Sequence, residues 1–225
     1  MEIKEYRQYR FRPPPGACEL LLVRHGESAP TREDVRQPTV GGHSDPPLDP
    51  VGVEQAQRVA ERLAGPREGI AAIYVTSLQR TRETAAPLAA RLGIEVRVEP
   101  DLREVFLGEW EESFRRHMSE GHPLAARLMV EGRWDVIPGA EPSEDFAARV
   151  RAAVQRLAVL HADEKVVVVT HGGVIAQALA EGSGGRPFAF LGADNASISH
   201  LVVVGDRWII RGFNDIAHLR APSSS

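Results

Sequence analysis

The sequence predicts an α/β protein of three layers, with helices on both faces of a central, mostly parallel sheet. Apolar runs at 20–23, 70–75 and 165–169 alternate with stretches of helical periodicity, which is the pattern of β-α-β units. Two of these runs lead into a His-Gly pair, at His25 and at His171. Ligands of open α/β sheets bind at the carboxyl ends of the strands, so we expect the functional site at this edge.

Composition and charge limit the function classes. The chain has 225 residues, of which 43% are hydrophobic and 26% charged, as in an ordinary soluble protein. We expect a single domain over 19–220, preceded by an arm, 1–18, and followed by a disordered tail, 221–225. The net charge of −4 argues against nucleic-acid binding, although local arginines can still create a site for a small anion.

The single cysteine, Cys18, excludes an intrachain disulfide and a four-cysteine zinc site. The arm has no apolar segment of the kind found in secretory signals, and no run reaches the roughly 20 apolar residues of a membrane helix. We therefore expect a cytoplasmic protein with no membrane or nucleic-acid partner. The oligomeric state is left open by the sequence.

The first half of the chain alternates regular elements with one long connection. After the opening strand, residues 29–50 are rich in Pro, Gly, Asp and Thr and predict an irregular loop. Residues 53–64 have apolar positions at helical spacing and predict an amphipathic helix. A strand follows at 70–75, with Thr76 and Ser77 as expected caps of the next helix.

Arg80 is the first basic residue of that helix. It would lie in the first turn, at the carboxyl edge of the sheet, beside backbone N–H groups that favour anions. The alternative is a surface charge paired with Glu83, one turn on. Arg82 fits a surface role better than Arg80 does.

A strand at 94–98 precedes an acidic stretch that contains Asp101, Glu104, Glu109 and Glu111. Four carboxylates usually indicate a solvated loop. Here they alternate with large apolar residues, which favours a pocket wall, where desolvation raises a carboxyl pKa toward use as a general acid.

The second half repeats the opening design. His171, like His25, is expected at a strand end and close to a helix N-terminus. The predicted elements are short helices within 113–131, a loop at 132–142, a helix at 144–160 capped by Ser143, a strand at 165–170, a helix at 174–180, and a hairpin of 196–204 and 207–213 around Gly205-Asp206.

Eight histidines raise the possibility of a metal site. The chain has no His-Glu-x-x-His motif, and His117 and His122 are five positions apart, which is poor spacing for one helical face. We therefore expect no metal. Apart from His25 and His171, the histidines are expected to be surface or structural residues, although His43 lies in a loop that could reach the pocket.

Four motifs in order resemble those of the histidine phosphatase superfamily, in the branch that includes cofactor-dependent phosphoglycerate mutases. Weaker similarity extends over 45–56 and 214–219, so the resemblance covers about 19–219. The four motifs are Leu22-Val-Arg-His-Gly-Glu-Ser28, Ser77-Leu-Gln-Arg-Thr-Arg-Glu-Thr-Ala85, Leu102-Arg-Glu104 with Gly108-Glu-Trp110, and Val169-Thr-His-Gly-Gly173.

The resemblance implies a phosphoglycerate mutase-like fold and a role for each motif residue. His25 would be the nucleophile and Glu104 the acid and base. Arg24, Arg80 and His171 would hold the phosphoryl group. Gly172, Ser28 and Asn195 would add substrate contacts. A small phosphomonoester would be the substrate, phosphate or sulfate would fit the pocket, and no metal would be needed.

Departures from the mutase pattern favour a hydrolase. Mutases carry Trp-Asn where this chain has Pro30-Thr31, and a tyrosine where it has Leu107. We therefore expect a phosphatase, with a 2,3-bisphosphoglycerate-dependent mutase as the alternative, in which Arg115 and Arg116 would hold a second anionic group. A non-enzymatic phosphoryl-binding protein is a further alternative, which the full set of motif residues disfavours. Residues 138–142 also depart from the family pattern, which leaves the substrate open.

Overall fold

The computed structural model describes residues 5–6, 8–32, 36–66 and 68–220. The tail predicted at 221–225 and part of the arm lie outside the described residues. The described strands are β1 (Cys18–Arg24), β2 (Thr39–Val40), β3 (His43–Ser44), β4 (Ile70–Val75), β5 (Val96–Val98), β6 (Lys165–Thr170), β7 (Ile198–Val204) and β8 (Arg207–Asp215). The described helices are α1 (Pro50–Leu63), α2 (Gln79–Leu92), α3 (Phe114–Ser119), α4 (Pro123–Glu131), α5 (Ser143–Leu160) and α6 (Gly172–Ser183).

Six strands form the central sheet in the order β5-β4-β6-β1-β7-β8. The pairs β5-β4, β4-β6 and β6-β1 are parallel, whereas β7 and β8 join as an antiparallel hairpin at one edge. The predicted mostly parallel sheet and the C-terminal hairpin are therefore confirmed. None of the described helices is both long enough and apolar enough to cross a membrane.

The strands are buried on both faces, which produces the three layers. Successive residues of β1 pack alternately into two hydrophobic clusters: Leu20 and Leu22 into one, Leu21 and Val23 into the other. The first cluster lies under α4, α5 and α6, and the second under α1 and α2. An apolar run such as Leu20–Val23 is what a strand covered on both sides requires.

The long connection at 29–50 is more regular than expected. It contains the short hairpin β2-β3, whose turn is formed by Gly41 and Gly42 at positive φ (56° and 84°). An isolated bridge between Ser28 and Leu48 closes the loop onto the end of β1. The expectation of an irregular loop was wrong at this point because the two glycines allow a tight turn.

Two predicted helix caps were wrong. The residue before α5 is Pro142, and the Ser143 hydroxyl instead accepts from the Trp134 N–H at 3.1 Å. The N-cap of α2 is Leu78, without a side-chain cap. The Thr76 hydroxyl instead lies beside His171, as described below.

The boundaries of several elements differ from prediction, as α1, α6 and the arm show. Helix α1 begins at Pro50, because the Asp49 carboxylate accepts from the Gly52 N–H at 2.8 Å and proline is favourable in a first turn. Helix α6 runs to Ser183 and ends at Gly184 in the left-handed region. The arm ends before residue 18, since Cys18 is the buried first residue of β1.

Candidate active site

The ends of β1 and β6 bring the two predicted histidines together. The strands are adjacent and parallel, with Arg24 opposite Thr170, and the His25 N–H donates to the Thr170 carbonyl at 2.9 Å. The rings of His25 and His171 are 5.2 Å apart between centroids. The repeated strand-His-Gly pattern therefore forms one site.

The surroundings of His25 fix the direction of its imidazole. Nδ1 lies 2.7 Å from the carbonyl oxygen of Gly26, an arrangement that requires Nδ1–H as donor and leaves the lone pair on Nε2. Burial, and then the charges of Arg80 and Arg24, hold the pKa of His25 well below 6.5. His25 is therefore a neutral imidazole at neutral pH.

Arg80 is buried and directed at the nucleophile candidate. Its Nε donates to His25 Nε2 at 3.2 Å, and its Nη1 donates to the Ser44 carbonyl at 2.9 Å. Asp45 lies 3.8 Å from Nη1. The alternative pairing with Glu83 does not occur, because the Glu83 carboxylate accepts from the Leu48 N–H and from the side chain of Gln79.

Arg24 and His171 each keep one buried nitrogen without a hydrogen-bond partner among the described residues. These atoms are Arg24 Nε and His171 Nδ1. One other nitrogen of each side chain has a partner: Arg24 Nη1 donates to the Ala193 carbonyl, and His171 Nε2 lies 3.0 Å from Thr76 Oγ1. Buried polar nitrogens without partners are rare, and two beside one imidazole suit an anionic ligand.

Glu104 occupies the wall beside these groups. Its oxygens accept from the Val105 N–H at 3.0 Å and from the Gly173 N–H at 3.1 Å. Burial raises its pKa above 4.5, an effect opposed by these hydrogen bonds and by the charges of Arg80 and Arg24. A raised carboxyl pKa is the property that a general acid needs.

The other residues of the acidic stretch have different environments. Glu111 also lines the cavity, but its oxygens accept from the backbone N–H groups of Ser44 and Leu107 at 2.8 and 2.7 Å. Asp101 pairs with Arg156, and Glu109 is exposed. The predicted pocket wall therefore holds for Glu104 and Glu111 and was wrong for Asp101 and Glu109.

The three further contact residues lie near the site in different ways. Ser28 lines the cavity, and its hydroxyl accepts from Arg115 Nη2 at 3.1 Å. Gly172 packs beside Arg24, with room for a Cβ at 3.7 Å from Nε. The Asn195 side chain donates to the His25 carbonyl at 2.9 Å and so supports the backbone of the histidine.

The cavity has a volume of about 310 Å³ and a mixed lining. One wall carries Leu107, Phe114 and Trp134, and charged side chains of Arg115 and Glu112 lie at its rim. None of residues 138–142, the segment whose departure from the family pattern left the substrate open, is among the residues that line this cavity.

His43 is the site residue that sequence reasoning valued least. It is buried in the cavity wall, and its Nε2 lies 3.2 Å from the Glu104 carbonyl oxygen. In the sequence, the only sign that His43 belongs to the site was its position in the connection at 29–50, which could reach the pocket.

The remaining histidines have structural partners. His161 binds Tyr74 and Glu164, His200 pairs with Glu19, and His218 binds the Ala196 carbonyl. His117 and His122 do not share a helical face, since His117 lies in α3 and His122 precedes α4, but their rings meet with 4.8 Å between centroids because the chain turns at Gly121. In the part of the chain described here, no three metal-binding side chains cluster.

Comparison with known proteins places this chain in a family. A sequence profile of the histidine phosphatase superfamily (branch 1) matches residues 20–216. The chain is 38% identical over 208 residues to phosphoglycerate mutase-like protein 4 of Arabidopsis thaliana, covering 90% of this chain and 87% of that protein. It is 32% identical to a metal-independent phosphoserine phosphatase of the same plant, covering 89% and 83%.

A solved structure of a phosphatase is also similar to this chain. A mycobacterial glucosyl-3-phosphoglycerate phosphatase in complex with inorganic phosphate has a TM-score of 0.71 and 30% identity to this chain, covering 89% of this chain and 98% of that one. The chain therefore belongs to the histidine phosphatase superfamily, branch 1.

Proposed function

We propose that the protein is a phosphomonoester hydrolase that acts on a small phosphorylated metabolite through a phosphohistidine intermediate. The observation that carries the proposal is the neutral His25, whose Nε2 lone pair meets the buried Arg80 guanidinium at 3.2 Å. A neutral imidazole is a good nucleophile, and a guanidinium beside it attracts the phosphoryl oxygens.

In the first step, His25 Nε2 attacks phosphorus and the bond from phosphorus to the ester oxygen breaks. Glu104, whose pKa is raised by burial, gives its proton to the leaving oxygen and releases the alcohol. Arg80, Arg24 Nε and His171 hold the three phosphoryl oxygens, since they supply hydrogen-bond donors around the transferred group.

In the second step, Glu104 is a carboxylate and takes a proton from water. The resulting hydroxide attacks phosphorus, the bond to His25 Nε2 breaks, and inorganic phosphate leaves. The second step gives back to Glu104 the proton that the first step used, so one carboxyl serves first as acid and then as base.

We further propose that no metal or other cofactor takes part. Arginines and histidines supply the positive charge that magnesium provides in other phosphoryl-transfer enzymes. The name of the phosphoserine phosphatase relative, which is metal-independent, supports this proposal. The cytoplasmic location stays a prediction.

A mutase is the second candidate, and Arg115 is the observation that favours it. Its guanidinium lies at the cavity rim and donates to Ser28, where it could also hold a second anionic group. The observation against a mutase is Leu107, which gives the cavity wall an apolar side chain where mutases of the family have a tyrosine.

One assay separates the two candidates. The purified protein is incubated with chelator on 3-phosphoglycerate, with and without 2,3-bisphosphoglycerate, and on a panel of other phosphomonoesters. Free phosphate from several esters is expected; rapid, bisphosphate-dependent formation of 2-phosphoglycerate would establish the mutase instead. Loss of activity in chelator that returns with added metal would refute metal independence.

The intermediate needs its own test. With p-nitrophenyl phosphate, which needs no general acid to leave, Glu104→Gln should accumulate phosphoprotein, because the base for the second step is missing. Mass spectrometry should place the acid-labile phosphoryl group on His25, and His25→Ala should carry none. Full phosphate release by a folded His25→Ala variant would remove the nucleophile assignment.

A further inference from the structure

The segment that carries Glu104 has little regular structure of its own. It follows one turn of 3-10 helix at Pro100–Leu102, and residues 103–107 form neither helix nor strand. A general acid must nevertheless be held at a fixed distance from the leaving oxygen, so some other part of the chain has to fix this backbone.

Arg149, on the second turn of α5, makes contact with that backbone from behind. Its Nη1 donates to the carbonyls of Asp101 and Arg103 at 2.6 and 2.7 Å, and its Nη2 donates to the carbonyl of Glu104 at 2.9 Å. Three carbonyls within four residues therefore converge on one guanidinium.

Glu141 holds the guanidinium from the other side. Its carboxylate accepts from Arg149 Nε at 2.6 Å and from Nη2 at 2.8 Å, and also from the Phe106 N–H at 3.2 Å. The backbone N–H of Glu141 donates to the Phe106 carbonyl at 2.9 Å. Glu141 therefore anchors the residue two positions after Glu104 while it orients Arg149.

The pair is shielded from water. The Arg149 and Glu141 side chains are 21% and 17% exposed, and the guanidinium lies 4.7 Å from the centroid of the Phe146 ring. Burial alone would raise the pKa of Glu141, but the hydrogen bonds and charge of Arg149 lower it, so the pair is ionised. The planar fork of arginine suits this arrangement, and lysine could not reproduce it.

We propose that the Arg149–Glu141 pair is a positioning device that sets the place of the Glu104 carboxyl in the active site. This inference rests on the proposed hydrolase and its use of Glu104 as acid. It also gives a function to residues 138–142: through Glu141 they support the acid from behind, and they do not line the cavity.

The test compares kcat/KM for two substrates, an alkyl phosphomonoester, whose poor leaving group needs the acid, and p-nitrophenyl phosphate, which does not. The ratio of the two values cancels any loss of folded protein. For Arg149→Met we expect this ratio to fall about 10- to 100-fold, because a displacement on the order of 1 Å costs about 100-fold. Glu104→Gln supplies the reference, with a fall at least as large.

Arg156→Met is the matched control. Arg156 lies on the same helix two turns further on and pairs with the side chains of Glu99 and Asp101, at 2.8 Å each, whereas the backbone carbonyls of the acid segment are bound by Arg149. Its ratio should stay within about twofold of the wild type, because the half-exposed Arg156 holds side chains and not the backbone carbonyls beside the acid.

Each outcome decides a separate point. An Arg149→Met variant that loses activity equally on both substrates would overturn the positioning role. If Glu104→Gln itself left the ratio unchanged, the acid assignment of the proposed function would fail instead. Should Arg149→Met not fold, Glu141→Gln keeps the size and one acceptor oxygen; the ratio should fall for it too, by a smaller factor, and an unchanged ratio would overturn the proposal.

Discussion

Replacing Gly173 with alanine should disable the acid while leaving the fold intact. A Cβ at this position would lie 2.5 Å from Glu104 Oε1, whereas ordinary contacts begin at 3.4 Å. The carboxylate must therefore withdraw by about 1 Å, a displacement that costs on the order of 100-fold in rate when it affects a catalytic group. The loss corresponds to about 2.7 kcal/mol of activation free energy.

The fold should survive because the atom in the way is the end of a side chain. Gly173 is the second residue of α6 and has no positive φ, so alanine can adopt the same backbone and lowers the conformational entropy of the unfolded chain. We expect an unchanged or slightly higher Tm. Gly65→Ala, at a position with nothing within 4 Å of the new Cβ, is the control for the substitution itself.

The assay is kcat/KM on an alkyl phosphomonoester and on p-nitrophenyl phosphate, together with a thermal melt. The alkyl ester should lose about 100-fold and p-nitrophenyl phosphate clearly less, because only the first needs a proton on its leaving group. Wild-type kinetics on the alkyl ester from a folded Gly173→Ala protein would refute the placement of the acid against α6.

Three further predictions follow from the same geometry. The plot of kcat/KM against pH for an alkyl ester should rise at a pH below 6.5, where His25 loses its proton, and fall at a pH above 4.5, where Glu104 loses its proton. The falling limb should vanish in Glu104→Gln. A falling limb that persists in this variant would belong to a group other than Glu104. Glu104→Gln should also raise the Tm at pH 7, because a carboxyl whose pKa is raised by folding destabilises the folded state at any pH above its pKa in the unfolded chain. The gain in Tm should therefore disappear near pH 4, and a gain that does not change with pH would contradict this reasoning. Arg80→Lys should lower kcat/KM by about 100-fold or more, since a lysine cannot replace the fork, whereas the exposed Arg82→Lys should stay within about twofold; equal effects would argue against the phosphoryl contact.

The sequence predicted the parts of the site that depend on local pattern. A strand covered on both sides must be apolar throughout, so β1 and β6 were visible as runs, and their ends located His25 and His171 at one edge. Arg80 could be placed for the same reason, because a helix start after a parallel strand lies at that edge.

The contacts that support the site could not be predicted in this way. Arg149 is 45 residues from Glu104, and nothing in its helical spacing distinguishes it from other arginines of α5. His43 was equally hidden, because its position depends on the turn at Gly41 and Gly42 and on the fit of β3 against the acid segment. Ser143 is a residue type that often caps helices, but its hydroxyl accepts a hydrogen bond from the Trp134 N–H instead.

The electrostatics of the site explain why its acid needs support from behind. The cations that lower the pKa of His25, Arg80 and Arg24, also lower that of Glu104, and so work against the proton that the first step requires. Burial is the effect that opposes them, and it depends on how deeply the carboxyl lies in the wall. A movement of Glu104 toward solvent would therefore change both its distance from the leaving oxygen and its protonation. Fixing the backbone of residues 101–106 through Arg149 and Glu141 keeps both properties constant.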